Sequence, residues 1–208
     1  MISLPTPNYK RMTRMEALEL RYNTLQFDND EFFNFCQQND ALKFERTADG
    51  IIIIMPNTGG ETGDRNSELN YQLRHWNKAA KLGRVFDSST AFRLPSSAVR
   101  SADSAFLTTA RWEALSPQER KKFPPICPDF VIELMSESDT VTESRAKILT
   151  DWMGNGCRLA WLIDPKTETA YIYRADGSIQ INHSFQEPLS GEDVLPGFSL
   201  DMSALRDE

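Results

Sequence analysis

Apolar residues at Leu69, Leu73 and Trp76 recur at the i, i+4, i+7 spacing of a helix face. They lie in the longest helical pattern of the chain, from about Thr62 to Leu82, with Gly83 placed to end it. Upstream, FDNDEFFNFCQQN reads as a short helix capped by Asp28 or Asn29, with Phe32, Phe33 and Cys36 turned inward. KFERTADGIIIIMP reads as two strands joined at Asp49-Gly50, a good hairpin signal. RVFDSS, TAFRLP and SADSAFLT are strand-like, and ARWEALSPQERKKFPP is a helical or irregular excursion. PDFVIELMS is almost continuously apolar, as a strand buried on both faces should be. SDTVTESRAKILTDWMGNG predicts a helix ended by glycine, and CRLAWLID and TAYIYRA predict two strands turning at Pro165-Lys166-Thr167. This order predicts an α/β fold, a mixed β-sheet flanked by helices.

A chain of 208 residues favours one domain, here residues 28–208 behind an N-terminal arm of residues 1–27. No purely apolar run exceeds the length of Ile51 to Met55, far short of the roughly 20 residues of a membrane helix. The first residues lack the apolar stretch of a signal peptide. Three scattered cysteines with no C-x-x-C pair fit a reducing cytoplasm and support neither a zinc ribbon nor a redox pair. There are two histidines, His75 and His183, and neither has a nucleophile context, so chemistry falls to carboxylates and lysine. Net charge is −7, which argues against tight nucleic-acid binding through bulk charge. The region from Arg65 to Arg84 is nonetheless locally basic, either a binding face or a solvated helix.

Glu133 stands between Ile132 and Leu134 in the apolar strand, where a carboxylate is costly unless it is paired with an arginine or binds a metal. Asp103, in VRSADSAFL, either caps a turn or enters the core on a strand. Two such acids on neighbouring strands would offer oxygen ligands to a hard cation such as Mg²⁺. Lys147 lies off the stripe Val141, Arg145, Ile148 and Trp152, so spacing alone reads it as solvated. Glu68 lies off the Leu69, Leu73, Trp76 stripe of the long helix and is a further candidate acid.

The segments FERTADGIIIIMPNTGGETGDRNSELN, LGRVFDSSTAFRLP, VRSADSAFL, ARWEALSPQERKKFPPICPDFVIELMS, GCRLAWLIDP and LPGF occur in this order from about Asp30 to Ser203. In this the chain resembles the bacterial Uma2-type family of restriction-endonuclease-like proteins with the PD-(D/E)XK nuclease fold. The resemblance lays the metal-binding aspartate on Asp103, the glutamate on Glu133, the lysine on Lys147 and a further acid of the first hairpin on Glu45. Ala102 stands where the family usually has proline, and Met135 occupies the position two after the glutamate, the lysine having moved to the following helix. Pro128-Asp129 mimics the motif but lies too near Glu133 to come from a separate strand.

The resemblance implies a Mg²⁺- or Mn²⁺-dependent endonuclease acting on DNA, with no organic cofactor and no membrane partner. Asp103, Glu133 and the backbone carbonyl of Leu134 would hold the ion, Lys147 would serve the attacking water or the phosphate, and Glu45 would shape the outer shell or hold a second ion. Arg74, Lys78 and Lys81 with Arg120, Lys121 and Lys122 are the expected phosphate contacts. A homodimer would supply the two sites that cutting both strands takes. The competing class is a noncatalytic nucleic-acid-binding or regulatory protein that keeps the fold, which net charge and the displaced lysine favour.

Overall fold

The computed structural model describes residues 18–20 and 27–206. Helix α1 (Asn29–Gln38) opens on a capping box: the Asp28 side chain accepts from the N–H groups of Asp30 and Glu31, and Glu31 reaches back to the Asp28 N–H. The hairpin forms as its sequence demands, with β2 (Lys43–Arg46) antiparallel to β3 (Ile52–Met55) and Gly50 at φ 91° in the turn. Most of the 1–27 segment lies outside the described residues, but β1 (Leu18–Leu20) pairs with β3 as an edge strand. With β5 (Ala91–Arg93) and β6 (Val99–Ser101) these strands make a five-stranded sheet in the order β1-β3-β2-β6-β5.

A second sheet has six strands. Its members are β4 (Gly83–Asp87), β7 (Ser104–Thr108), β8 (Phe130–Leu134), β9 (Leu159–Asp164), β10 (Thr169–Arg174) and β11 (Ile179–Asn182), in the order β11-β10-β9-β8-β7-β4. Only β8 and β9 run parallel, so the sheet is mixed. A parallel pair needs a crossover, and helix α5 (Val141–Lys147) begins it. SADSAFLT, which reads as one strand, is two: the chain leaves the five-stranded sheet at Ser101 and enters the six-stranded sheet at Ser104, so Asp103 lies on the seam.

Helix α2 (Gly60–Ala80) covers one face of the six-stranded sheet through Leu69 and Leu73, both fully buried, and through Trp76 against Phe106 and Phe198. Burying each leucine contributes about 1.5–3 kcal/mol. Gly83 does not end this helix. The left-handed cap is Lys81 at φ 55°, while Gly83 begins β4 where a Cβ would run into the Leu107 carbonyl oxygen and the Phe106 ring. Glycine is therefore required by a close strand approach rather than by a turn. The opposite face packs under Ile148 and Trp152 of the crossover. The excursion after β7 forms α3 (Thr109–Glu113) and α4 (Pro117–Lys121), with Ser116 capping the latter. A small two-stranded ribbon, β12 (Leu189–Ser190) with β13 (Ser199–Leu200), closes the chain. Among the described residues no helix is long and apolar enough to cross a membrane.

Candidate active site

Asp103 and Glu133 meet at the seam. The antiparallel register of β7 on β8 pairs Ser104 with Ile132, so the residues just beyond, Asp103 and Glu133, are the next to face each other. Asp103 Oδ2 accepts from the Leu134 backbone N–H at 2.8 Å, and its Oδ1 accepts from Asn66 Nδ2 at 3.1 Å. In a pleated strand a residue's N–H and C=O point to the same side. By that geometry the Leu134 carbonyl is directed to the same side of β8 as its N–H, the side of β7.

Lys147 is not solvated. Its Nζ lies 2.9 Å from Glu133 Oε1, 3.0 Å from Oε2, 3.3 Å from the Ser101 carbonyl and 3.9 Å from Glu45 Oε1. Trp152 Nε1 donates to the same Glu133 at 2.6 Å. On a regular α-helix positions 147 and 152 would point about 140° apart. Ile148–Trp152 instead forms a π-helical turn, whose wider i, i+5 pitch brings the two side chains onto one face. The heptad-like spacing places Trp152 in the core correctly, but it assumes a regular helix and so turns Lys147 away wrongly.

Glu45 reaches the seam from β2. It is buried and held on both oxygens, by Arg100 Nη1 at 3.0 Å and by the Ser101 N–H at 3.0 Å. Arg100 continues to Asp151 Oδ2 at 2.8 Å. Both Glu45 oxygens are engaged this way, which suits a role in positioning Lys147 better than the holding of a second ion. Arg100, Asp151, Trp152 and Asn66 were not legible in the linear pattern as site residues. The one available signal for Asn66 was its spacing: Asn66, Asn70 and Asn77 share the inner face of α2, and each donates its amide to the β4–β7 edge. Glu68, two residues from Asn66, turns to Gln72 instead, which bonds its Oε1 at 2.9 Å.

Electrostatics follow from this packing. Burial, with repulsion from Asp103 and Glu45, pushes the Glu133 carboxyl up to about 7 despite Lys147. Burial also raises Asp103, against the Leu134 N–H. Burial would raise Glu45 too, but Lys147 and Arg100 hold it below the usual carboxylate range. Burial would lower Lys147, yet Glu133 and Glu45 keep its ammonium above its ordinary value. Lys147 and Arg100 thus pair with the carboxylates of Glu45, Glu133 and Asp151, while Asp103 beside them is held by the Leu134 N–H and by Asn66. Carboxylates outnumber Lys147 and Arg100 here, with Lys43 also acting on Glu45 and Asp103, and a divalent cation would relieve the repulsion between Asp103 and Glu133. Among the described residues no three His, Cys, Asp or Glu side chains form a metal-binding group. A cation here would draw on two carboxylates and on neutral oxygens, a donor set that fits Mg²⁺ or Mn²⁺ rather than zinc.

Asp129 is elsewhere. It is buried, accepts from the Thr108 N–H at 2.9 Å and pairs with Arg111 at 2.8 Å, which pins the end of β7 to β8. The basic residues are not drawn to the carboxylates either. Arg74, Lys78 and Lys81 are exposed on α2, roughly 12 to 22 Å along its axis from Asn66. Arg120 stacks over Trp112 at 5.5 Å, Lys122 pairs with Asp30 at 2.8 Å, and Lys121 is exposed. These three follow the far end of β7 from Asp103.

Two sheets meeting at an acid-lined seam, with a parallel crossover behind the glutamate, define a restriction-endonuclease-like nuclease fold. The chain belongs to the Uma2 family, described as "Putative restriction endonuclease", whose model matches residues 29–203. A crystal structure of a "putative nuclease belonging to DUF820" from Anabaena variabilis ATCC 29413 shares the fold at a TM-score of 0.64 and 21% identity, covering 78% of this chain and 88% of that one. No curated protein matches.

Proposed function

We propose that this chain is a metal-dependent endonuclease that hydrolyses DNA phosphodiester bonds. The observation that carries the reading is the seam itself, where Asp103 and Glu133 lie opposite each other across β7 and β8, Asp103 accepts from the Leu134 N–H and Lys147 pairs with Glu133. Asp103, Glu133 and Leu134 would hold Mg²⁺ or Mn²⁺. When bound, the cation polarises the scissile phosphate and lowers the pKa of a coordinated water. Lys147 supplies a fixed positive charge where negative charge develops on the phosphate. Glu45 and Arg100 keep that ammonium in place, and Trp152 fixes the rotamer of Glu133. The test is cleavage of plasmid DNA with and without Mg²⁺ or Mn²⁺, in the native chain and in Asp103→Asn. Metal-stimulated cutting that disappears in the variant supports the reading. DNA binding with no cutting under either metal would instead favour a noncatalytic protein on the nuclease fold.

A further inference from the structure

Of the three asparagines on the inner face of α2, Asn66 carries a buried side-chain oxygen with no partner. Asn77 Oδ1 accepts from the N–H groups of Leu82 and Gly83, whereas Asn66 Oδ1 is buried with no donor. A buried acceptor without a donor is costly and calls for a physical account. Reversing the amide would not relieve it. It would turn the oxygen onto Asp103 Oδ1, 3.1 Å from the present nitrogen, and set two acceptors against each other. Asp103 therefore fixes the orientation, and the free oxygen stays in the site. Two carboxylates and the Leu134 carbonyl supply at most a few of the roughly six oxygens that a hard divalent ion takes, water included, so a further neutral oxygen beside Asp103 has a place in the shell.

We infer that Asn66 belongs to the cation's coordination shell, its Oδ1 facing the bound ion directly or through one of its waters. This rests on the reading of Asp103 and Glu133 as metal ligands and extends it to α2. The amide then has two jobs, with Nδ2 orienting Asp103 and Oδ1 meeting the hydrated cation.

The experiment measures Mn²⁺ binding to the full chain, by loss of the free-ion electron paramagnetic resonance signal and by thermal shift, without DNA. The variants are Asn66→Ala, Asn66→Asp and Asp103→Asn. Asn66→Ala should bind Mn²⁺ about 10- to 100-fold more weakly, the usual cost of losing a supporting group at a metal site. Asn66→Asp separates the two jobs, because it removes the donor to Asp103 but keeps the oxygens and adds charge. It should bind Mn²⁺ at least as tightly as the native chain, while its metal-free form melts lower through repulsion with Asp103. Equal weakening in Asn66→Asp and Asn66→Ala would show that Asn66 merely anchors Asp103, and would overturn the inference. Native-like binding in Asn66→Ala would overturn it too. Native-like binding in Asp103→Asn would instead remove the metal site on which the inference rests.

Discussion

Lys147→Met tests whether the ammonium is part of the buried cluster or a decoration of the crossover helix. The substitution keeps most of the chain's volume and removes the charge that lies within 3.0 Å of both Glu133 oxygens and 3.9 Å from Glu45. Removing one member of a buried pair costs about 3–5 kcal/mol when the other stays charged. Glu133 can escape part of that by taking a proton. Its folded-state pKa is raised to about 7 from an ordinary 4.5, so its contribution to stability is complete below 4.5 and is lost as pH rises through about 7. A shift of that size corresponds to roughly 3 kcal/mol. Without Lys147 the Glu133 pKa climbs further, and the loss on raising pH extends to more alkaline values. Glu45 works in the opposite sense: its pKa is depressed, its contribution is present above 4.5, and Lys147 is one of its supports. Both effects make the variant worse at higher pH. Urea unfolding in chelator should show a deficit of about 1 kcal/mol at pH 5, where Glu133 is protonated in both proteins, growing to about 3 kcal/mol at pH 8.5. A deficit under about 1 kcal/mol that ignores pH would mean that Lys147 is solvated and that the π-turn argument is wrong.

Saturating Mn²⁺ should stabilise the native chain by about 2.7 kcal/mol at a hundredfold excess over its dissociation constant. Scanning calorimetry should find that rise much reduced in Asp103→Asn and intact in Asp129→Asn, although the latter loses about 1–2 kcal/mol of stability as its charge-assisted bonds to Thr108 and Arg111 weaken. A larger metal-dependent loss at Asp129 would mean that the ligand had been assigned to the wrong aspartate. Gly83→Ala must displace both the Leu107 carbonyl and the Phe106 ring, and it should cost at least about 2–3 kcal/mol by urea denaturation; a neutral result would show that β4 can shift. Charge reversal at Lys121 should weaken DNA binding regardless of sequence and flatten its salt dependence by about one unit, whereas Lys122, already paired with Asp30, should contribute less. Unchanged affinity across a salt titration would reduce the patch to solvated side chains.

Local chemistry carried much of this molecule. The hairpin at Asp49-Gly50, the α1 cap (at Asp28, one of the two positions the sequence allowed), the Leu69–Leu73–Trp76 stripe and the doubly buried strand β8 follow from propensity and periodicity over a few residues, and they form as the sequence predicts. The two acids were legible for a related reason, since a carboxylate in or entering an apolar strand demands a partner wherever the strand ends up. What that partner is depends on contacts between distant segments. Asp103 sits on a seam because the chain changes sheets between Ser101 and Ser104; the turn-forming Asp103 hints locally at a break, but nothing within SADSAFLT says that the two halves join different sheets. Lys147 faces Glu133 because one π turn replaces an α turn, an adjustment that tertiary packing selects and that a fixed 3.6-residue period cannot anticipate. Arg100, Glu45 and Asp151 come from three segments and find one another only once burial makes unpaired charge costly. Asn66 reads as an ordinary polar helix residue until α2 is laid against the β4–β7 edge. The sequence thus determined the elements and the acids, which depend on neighbours along the chain; the tertiary structure decided their partners, which depend on neighbours in space.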